Sequence, residues 1–500
     1  MKKKDNQECF IISVDMGTSS VRACLVDATL QIKQQSSRNV NLLTDARGKA
    51  ELDVERVINK TIACIRDTLN WAEEQSLSVA AISFSSASAS LVPLDADFNP
   101  IHAALTYADL RSSNESQWII ETFGRKTFAH TAAPMHASYW LPKLLWLKLQ
   151  DLENIKKLRF CTLKDLLIYR LTGEFVIDAC NAGAAGMMDA REINWDEGSL
   201  AIAGIQKFQL PEILPTTTVL EVKHQQSGLF FSEEQPPKIV LGAMDGVLAS
   251  LGAGAYQAGQ VTTSLGSSGA CRITANTPSL SQADQGIWSY PLTKDLWVRG
   301  GAMNNGGLVT QWLAENFSQK RDSSEKAFRE MLTTASQIEP GADGLLFLPY
   351  LFGERAPIYN ESARGVYFGL HSRHRRGHFA RAGLEGILYA LYSIYEILQA
   401  SANKINGIRA TGGYLQSQLM LQIQADIFGK TILIPSEREG SLIGAAALAW
   451  LSLGKIDSFE DLAEFFTIEN QFNPNSSSHK IYMENYPRYK GIYRQLAPIF

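Results

Sequence analysis

Three observations predict an α/β fold built as two related domains. A strand, a glycine-rich turn and a second strand occur near the start and again about half a chain later, with Gly17 and Gly266 249 positions apart. Apolar β-type runs alternate with amphipathic helical patterns along the chain, which implies layered α/β architecture. The chain has 500 residues, more than one hydrophobic core supports, so two large domains or three ordinary ones are expected. A repeat at half-chain spacing fits two copies of one domain design; a solenoid would repeat every ~20 to 50 residues.

The elements follow in order. Cys9-Phe-Ile-Ile-Ser-Val14 reads as a buried strand, Asp15 to Ser20 as a tight turn, and Val21 to Val26 as a strand alternating outward and inward. Val54, Ile58, Ile62, Ile65 and Leu69 share one helical face. Val79–Phe84 and Lys238–Leu241 are predicted strands, and the polar Gln225–Pro237 stretch a linker or loop. The second hairpin comprises Val261 to Ser264, the turn Leu265 to Gly269, and Ala270 to Thr274. Leu384, Leu388, Leu391, Tyr395 and Leu398 form another apolar face. A helix is predicted from Ser417 to Phe428, stopped by Gly429. Glu439 to Ala447 is a small-residue helix that packs closely on its neighbours.

Composition excludes several function classes. Apolar residues make up 45% and charged residues 20%, which excludes global disorder. The formal charge of −4 offers no electrostatic footprint for nucleic acid. The six cysteines are scattered without a C-x-x-C pair, so neither a disulfide scaffold nor a zinc site is expected. Lys2-Lys3-Lys4 imitates the start of a signal peptide, but the apolar run after it ends at Ser13. The stretch from Leu442 to Leu453 is interrupted by Gly444 and Ser452 and is shorter than the ~18 residues of a membrane span. A cytoplasmic location, no membrane and no nucleic-acid partner are expected. The oligomeric state stays open, a homodimer included.

The chemistry lies in the turns. Small residues between strands let backbone N–H groups and hydroxyls approach a phosphate. Gly17, Thr18 and Ser19 form the first such turn and Gly266, Ser267 and Ser268 the second. Asp15, at a strand end, could hold a hydrated Mg²⁺. Either turn alone would pass for an ordinary hairpin; the pair suggests one nucleotide gripped from both sides. Asp245, between Gly242 and Gly246 at the end of a strand, is placed as a general base or as the cap of a helix starting near Val247. The glycine pair in Arg409-Ala-Thr-Gly412-Gly413 would let an adenine or ribose lie against the backbone. Asn304 and Asn305 suit nucleotide or sugar hydroxyls, or a turn. Arg373-His-Arg-Arg376 reads as a solvated basic loop.

Together these segments resemble the FGGY carbohydrate kinases, members of the actin-like, ribonuclease H-like ATPase superfamily, over essentially the whole chain. Asp15-Met-Gly-Thr-Ser resembles the first phosphate motif, Ser264-Leu-Gly-Ser-Ser-Gly the second, and Thr411-Gly-Gly the adenosine motif. Gly365 to Leu370, His378-Phe and Ala382 follow most of the C-terminal signature, departing at Gly383. Ser83 to Ala87, Thr162 to Glu174, Gly242 to Ala249, Gly301 to Gly307 and Leu348 to Ile358 read as the gluconate kinase subgroup.

The resemblance implies two actin-like domains, 1–253 and 254–500, with an active-site cleft between them. It implies ATP and Mg²⁺, Asp245 as the base, Asp15 serving the metal, and Thr18 and Ser267 near phosphates. Gly412, Gly413 and Asn305 fall on the nucleotide side; Ser86, Asp109, Arg111 and His136 fall on the sugar side. Arg111 suits a substrate carboxylate, or else a surface salt bridge with Asp109 or Glu115. The implied reaction is transfer of the γ-phosphate to a primary hydroxyl, D-gluconate giving 6-phosphogluconate. A pentulose or other polyol is the alternative acceptor, and an ATPase switch without sugar substrate the alternative class. Departures from the family pattern fall at Tyr107, at Ala132 after Thr131, at Tyr139-Trp140 and at Met420.

Overall fold

The computed structural model describes residues 9–150, 155–223, 236–281, 286–319, 324–400, 402, 405 and 407–500, with the side chains of 126 and 127 excepted. The Lys2–Lys4 run and most of the Gln225–Pro237 stretch lie outside the described residues.

The N-terminal half is organised by a mixed six-stranded sheet. Its order is Val219–Leu220, Lys238–Met244, Ser78–Ser86, Cys9–Met16, Ser20–Val26 and Ile32–Asn39. Cys9–Met16 pairs antiparallel with Ser20–Val26 and parallel with Ser78–Ser86, which in turn lies parallel to Lys238–Met244. The first turn is therefore shorter than expected, because the strand runs through Asp15 to Met16 and only residues 17–19 turn. The expected alternation of Val21–Val26 also fails, since Ala23 to Val26 are all buried. Helices cover both faces of the central strands, so their side chains are buried on both sides, while the edge strand Ile32–Asn39 keeps alternate side chains exposed. The Val54–Glu74 helix, capped by the Asp53 carboxylate on Arg56 N–H, packs on one face. A cap of this kind stabilises by about 1 kcal/mol. On the opposite face lie the helices Asp245–Gly252 and Gly440–Ser452.

The C-terminal half repeats the design. Its seven-stranded sheet runs Trp288–Pro291, Trp297–Met303, Gly269–Ala275, Val261–Leu265, Ile408–Thr411, Ile432–Pro435 and Ile468–Phe472. In both halves three antiparallel strands carry the hairpin, and two strands parallel to its first strand follow. The Arg376–Ala400 helix packs against this sheet through Leu384, Leu388, Leu391, Tyr395 and Leu398, the face read from the sequence. The Gln418–Phe428 helix begins at its Ser417 cap and stops at Gly429, as expected.

The halves meet backbone to backbone. The small-residue helix Gly440–Ser452 belongs to the C-terminal half but packs on the N-terminal sheet and against Asp245–Gly252. A Cβ at Gly444 would sit 2.0 Å from the Leu248 carbonyl oxygen, and one at Gly252 2.0 Å from that of Gly440. No larger residue fits without separating the helices. A further apolar cluster, packed around Trp140, Leu144, Phe160, Met187 and Trp195, is built from residues that fall in sequence between the sheet strands Ser78–Ser86 and Lys238–Met244. Among the described residues no helix is long and apolar enough to cross a membrane, and no disulfide joins any of the six cysteines.

Candidate active site

The strand that delivers Asp245 is bent by a bulge. Pairing with Ser78–Ser86 shifts register between Val240 and Ala243. Gly242 sits there at φ +74°, and a Cβ would lie 1.7 Å from the Phe84 carbonyl oxygen. Only glycine can occupy the position. The bulge turns the strand end so that Asp245 opens the Asp245–Gly252 helix. The helix-cap alternative for Asp245 does not hold, because the cap position belongs to Met244 and carries no side-chain bond.

Asp245 Oδ1 accepts from Gly246 N–H at 2.5 Å. Burial first, and the Asp15 charge second, push its carboxyl up to about 6, against the pull of Arg272 and the Gly246 N–H. Asp15 is buried; its Oδ1 accepts from Ser85 Oγ at 2.8 Å and its Oδ2 from Arg22 Nη2 at 2.7 Å. Arg22 also pairs with Glu439, so one guanidinium joins the first hairpin to the C-terminal half. Arg272 donates to Ser264 Oγ at 3.2 Å. Among the described residues the buried Nε of Arg22 and that of Arg272 have no hydrogen-bond partner.

The second hairpin turn lines a pocket with Leu265, Gly306, Gly307, Thr310, Phe328, Gly413, Tyr414 and Met420. Gly307 N–H donates to Gly266 O at 2.6 Å and Leu308 N–H to Ser267 O at 3.2 Å, which docks the turn on the start of the Gly307–Phe317 helix. Gly412, at φ +99°, lies so close to Leu265 that a Cβ would be 2.6 Å from its carbonyl oxygen. Gly266, Gly413 and Met420 are thus brought together. Ser267 and Ser268 are exposed on the turn. Asn305 is not on the pocket. It is fully buried, donating to Gly353 O at 2.6 Å and to Glu354 Oε2 at 3.0 Å. Its neighbours Gly306 and Gly307 line the pocket instead.

A second pocket lies where the halves face each other. Tyr107, His136, Ser138, Tyr139 and Met244 come from the N-terminal half; Arg272, Trp288, Tyr290, Arg355 and Tyr359 come from the C-terminal half. His136 Nδ1 is 2.7 Å from Ser138 Oγ, and Nε2 is 3.4 Å from the Glu361 carboxylate. Burial holds His136 below its usual value, with Glu361 opposing. Tyr139 and Tyr290 share a hydrogen bond of 3.1 Å across the junction. Lys143 is fully buried behind the wall, donating to Thr106 O at 2.6 Å and Ser138 O at 2.7 Å, and burial pulls its ammonium down to about 7.

Three expected sugar-side residues stand apart from this pocket. The Arg111 fork is occupied by Asp109 Oδ2 at 2.7 Å and Glu51 Oε1 at 2.5 Å, and it lies over the Trp146 ring at 4.4 Å. The salt-bridge alternative with Asp109 thus describes its contacts, with Glu51 in place of Glu115. Asp109 is itself buried and also accepts from Ala50 N–H at 2.9 Å. Ser86 is buried, 3.4 Å from Asn181 Oδ1. Of the Tyr139-Trp140 pair, Tyr139 lines the pocket, while Trp140 is core, stacked on Trp195 at 5.8 Å. Sequence reasoning missed Arg272, Arg355, Tyr359, Phe328 and Thr310. Arg355 stood inside a quoted motif, but nothing local distinguishes a pocket arginine from a surface one.

The model of the FGGY family of carbohydrate kinases, N-terminal domain, matches residues 10–252, and that of the C-terminal domain matches 261–453. The chain belongs to the FGGY family of carbohydrate kinases. It is 32% identical to the gluconokinase of Bacillus licheniformis over 97% of this chain and 96% of that one. Its fold matches the crystal structure of gluconate kinase from Lactobacillus acidophilus with a TM-score of 0.91, at 30% identity over 98% of this chain and 99% of that one. The ligand-bound xylulose kinase from Lactobacillus acidophilus matches at TM-score 0.90 and 30% identity, covering 98% of each chain. The FGGY chain is therefore a carbohydrate kinase of two actin-like domains, using ATP on a small sugar-type substrate. The reading as an ATPase switch without sugar substrate falls away.

Proposed function

We propose that this FGGY kinase phosphorylates the primary hydroxyl of D-gluconate to give 6-phosphogluconate. The observation that carries the reading is Asp245. It stands beside Met244 at the edge of the shared pocket, faces Arg272 from the other half, and has its carboxyl raised to about 6. A base with that affinity is ionised at neutral pH and still takes a proton readily. Asp245 accepts the hydroxyl proton as the oxygen attacks the γ-phosphorus; the bond to the bridging oxygen breaks, and ADP leaves. Gly17, Thr18, Ser19, Gly266, Ser267 and Ser268 contact phosphates, and Gly412 and Gly413 the adenosine, with Met420 along the pocket. His136 contacts the acceptor.

The donor set suits Mg²⁺. Asp15 and Asp245 lie close enough for one charge to raise the other's affinity for protons, a repulsion that a divalent cation relieves. Asp15 would hold the ion, which screens phosphate charge. Domains 1–253 and 254–500 close over the pocket and exclude water, which would otherwise accept the phosphoryl group. A cytoplasmic location accords with six cysteines that form no disulfide with one another.

Gluconate is chosen on the gluconokinase relative, at 32% identity. The comparable likeness to a xylulose kinase keeps a pentulose as the second reading. ADP-release assays across gluconate, xylulose, ribulose and glycerol test the choice. Gluconate is expected to show the highest kcat/KM; a pentulose in first place rejects it.

A further inference from the structure

We propose that Arg355 selects acceptors bearing a carboxylate, as the anchor for the acid end of the substrate; this rests on the sugar-acid reading above. The first support is charge. The residues lining the shared pocket carry two guanidinium groups, Arg272 and Arg355, and no carboxylate. Burial keeps His136 on the neutral side, so it adds no third cation and no anion. Of the two arginines, Arg272 already faces Asp245, which leaves Arg355 as the cation open to an acidic acceptor.

The second support is the commitment of the other arginines. Arg272 faces Asp245 and bonds Ser264 at 3.2 Å. Arg111, which the sequence offered as the carboxylate reader, is closed by Asp109 and Glu51. Arg355 forms no salt bridge among the described residues. Its Nε donates to Asn304 Oδ1 at 2.7 Å and its Cζ lies 5.7 Å from the centre of the Tyr107 ring. One edge of the fork is thus fixed and the other nitrogens remain for a ligand. It lines the pocket alongside His136, Tyr139, Tyr290 and Tyr359.

The third support is rigidity. The buried Glu354 carboxylate accepts from Asn304 N–H at 2.5 Å, Asn305 Nδ2 at 3.0 Å and Arg355 N–H at 2.9 Å. The loop that presents Arg355 is therefore tied to the strand end at Met303. A planar fork held in place suits two parallel bonds to a carboxylate, which a lysine cannot make.

The test is steady-state kinetics on gluconate and on its uncharged six-carbon counterpart glucitol, for the wild-type chain, R355Q, R355K and R111Q. R355Q is expected to lower kcat/KM for gluconate by about 10- to 150-fold, the range of one charged hydrogen-bonding group, with glucitol changed less than about threefold. R355K is expected to fall between wild type and R355Q. An unchanged KM for ATP in R355Q establishes that the fold and nucleotide side are intact. Equal losses on both acceptors overturn the proposal, as does a gluconate preference lost in R111Q and kept in R355Q. If the wild type favours xylulose, the gluconate reading fails. The anchor then stands only if R355Q still impairs carboxylate-bearing acceptors alone, and falls if the wild type turns over none of them.

Discussion

The two hairpins occupy the same place in their sheets and use the same device to different ends. In each, an arginine on the second strand reaches back to the residue before the last of the first strand: Arg22 to Asp15, and Arg272 to Ser264. The first arginine meets a carboxylate and then Glu439 of the other half, so its charge is balanced. The second meets only a hydroxyl, and its charge is left to face Asp245 across the junction. A duplicated frame has thus become one jaw whose hairpin arginine is paired and one whose hairpin arginine is open to Asp245. The two arrangements differ in the side chain met, Asp15 against Ser264, and in register, since Arg22 lies opposite Asp15 while Arg272 lies opposite Thr262.

The largest effect is expected from removing the group on which both jaws act. Asp245→Asn should lower kcat by about 10³-fold or more, within the range of a lost general base, with ATP affinity retained. Full activity in that variant would reject Asp245 as the base. Next comes the backbone contact that sets the jaws against each other. Gly444→Ala places a Cβ 2.0 Å from Leu248 O. A loss of about 1–3 kcal/mol or more is expected, read as a lowered thermal midpoint; an unchanged midpoint would show that the helices part freely.

The asymmetry of the jaws can be probed by pH. Asp245 acts as carboxylate, so protonation as pH falls through about 6 removes the base, and kcat/KM should drop tenfold per unit below that. Arg272→Gln removes the cation that opposes this protonation, and the acidic limb should move to higher pH. Ser264→Asp makes the second hairpin resemble the first; it diverts Arg272 and adds negative charge, so the limb should move the same way. A limb that stays in place in both variants would mean that Arg272 does not act on Asp245. The smallest effect belongs to Glu439→Gln. Its pair with Arg22 is partly exposed, so a change of ~1 kcal/mol or less is expected, shrinking further in high salt.

The hairpins were legible because their signal is local: small residues in turns flanked by apolar runs. Asp245 was legible for the same reason, at a strand end between glycines. Burial on both faces of Ser20–Val26 was not, because alternation reports one solvated face and the second cover, Gly440–Ser452, comes more than 400 positions later. That helix showed its small residues in sequence but not the neighbour that required them. Arg111 and Arg355 show the limit most sharply. The first carries a motif that resembles a sugar site, yet Glu51, 60 positions away, helps to close its fork. The second lines the pocket with its guanidinium held by Asn304, 51 positions away.

From the sequence alone came the doubling of the fold, the two glycine-rich hairpin turns and the place of Asp245 at a strand end, since each is written in a few neighbouring residues whose backbone demands are local. Tertiary structure decided which arginines are neutralised and which face the pocket. Whether a guanidinium is a tie or a reader depends on carboxylates that the fold brings from distant segments, and its charge has meaning only once those partners are in place.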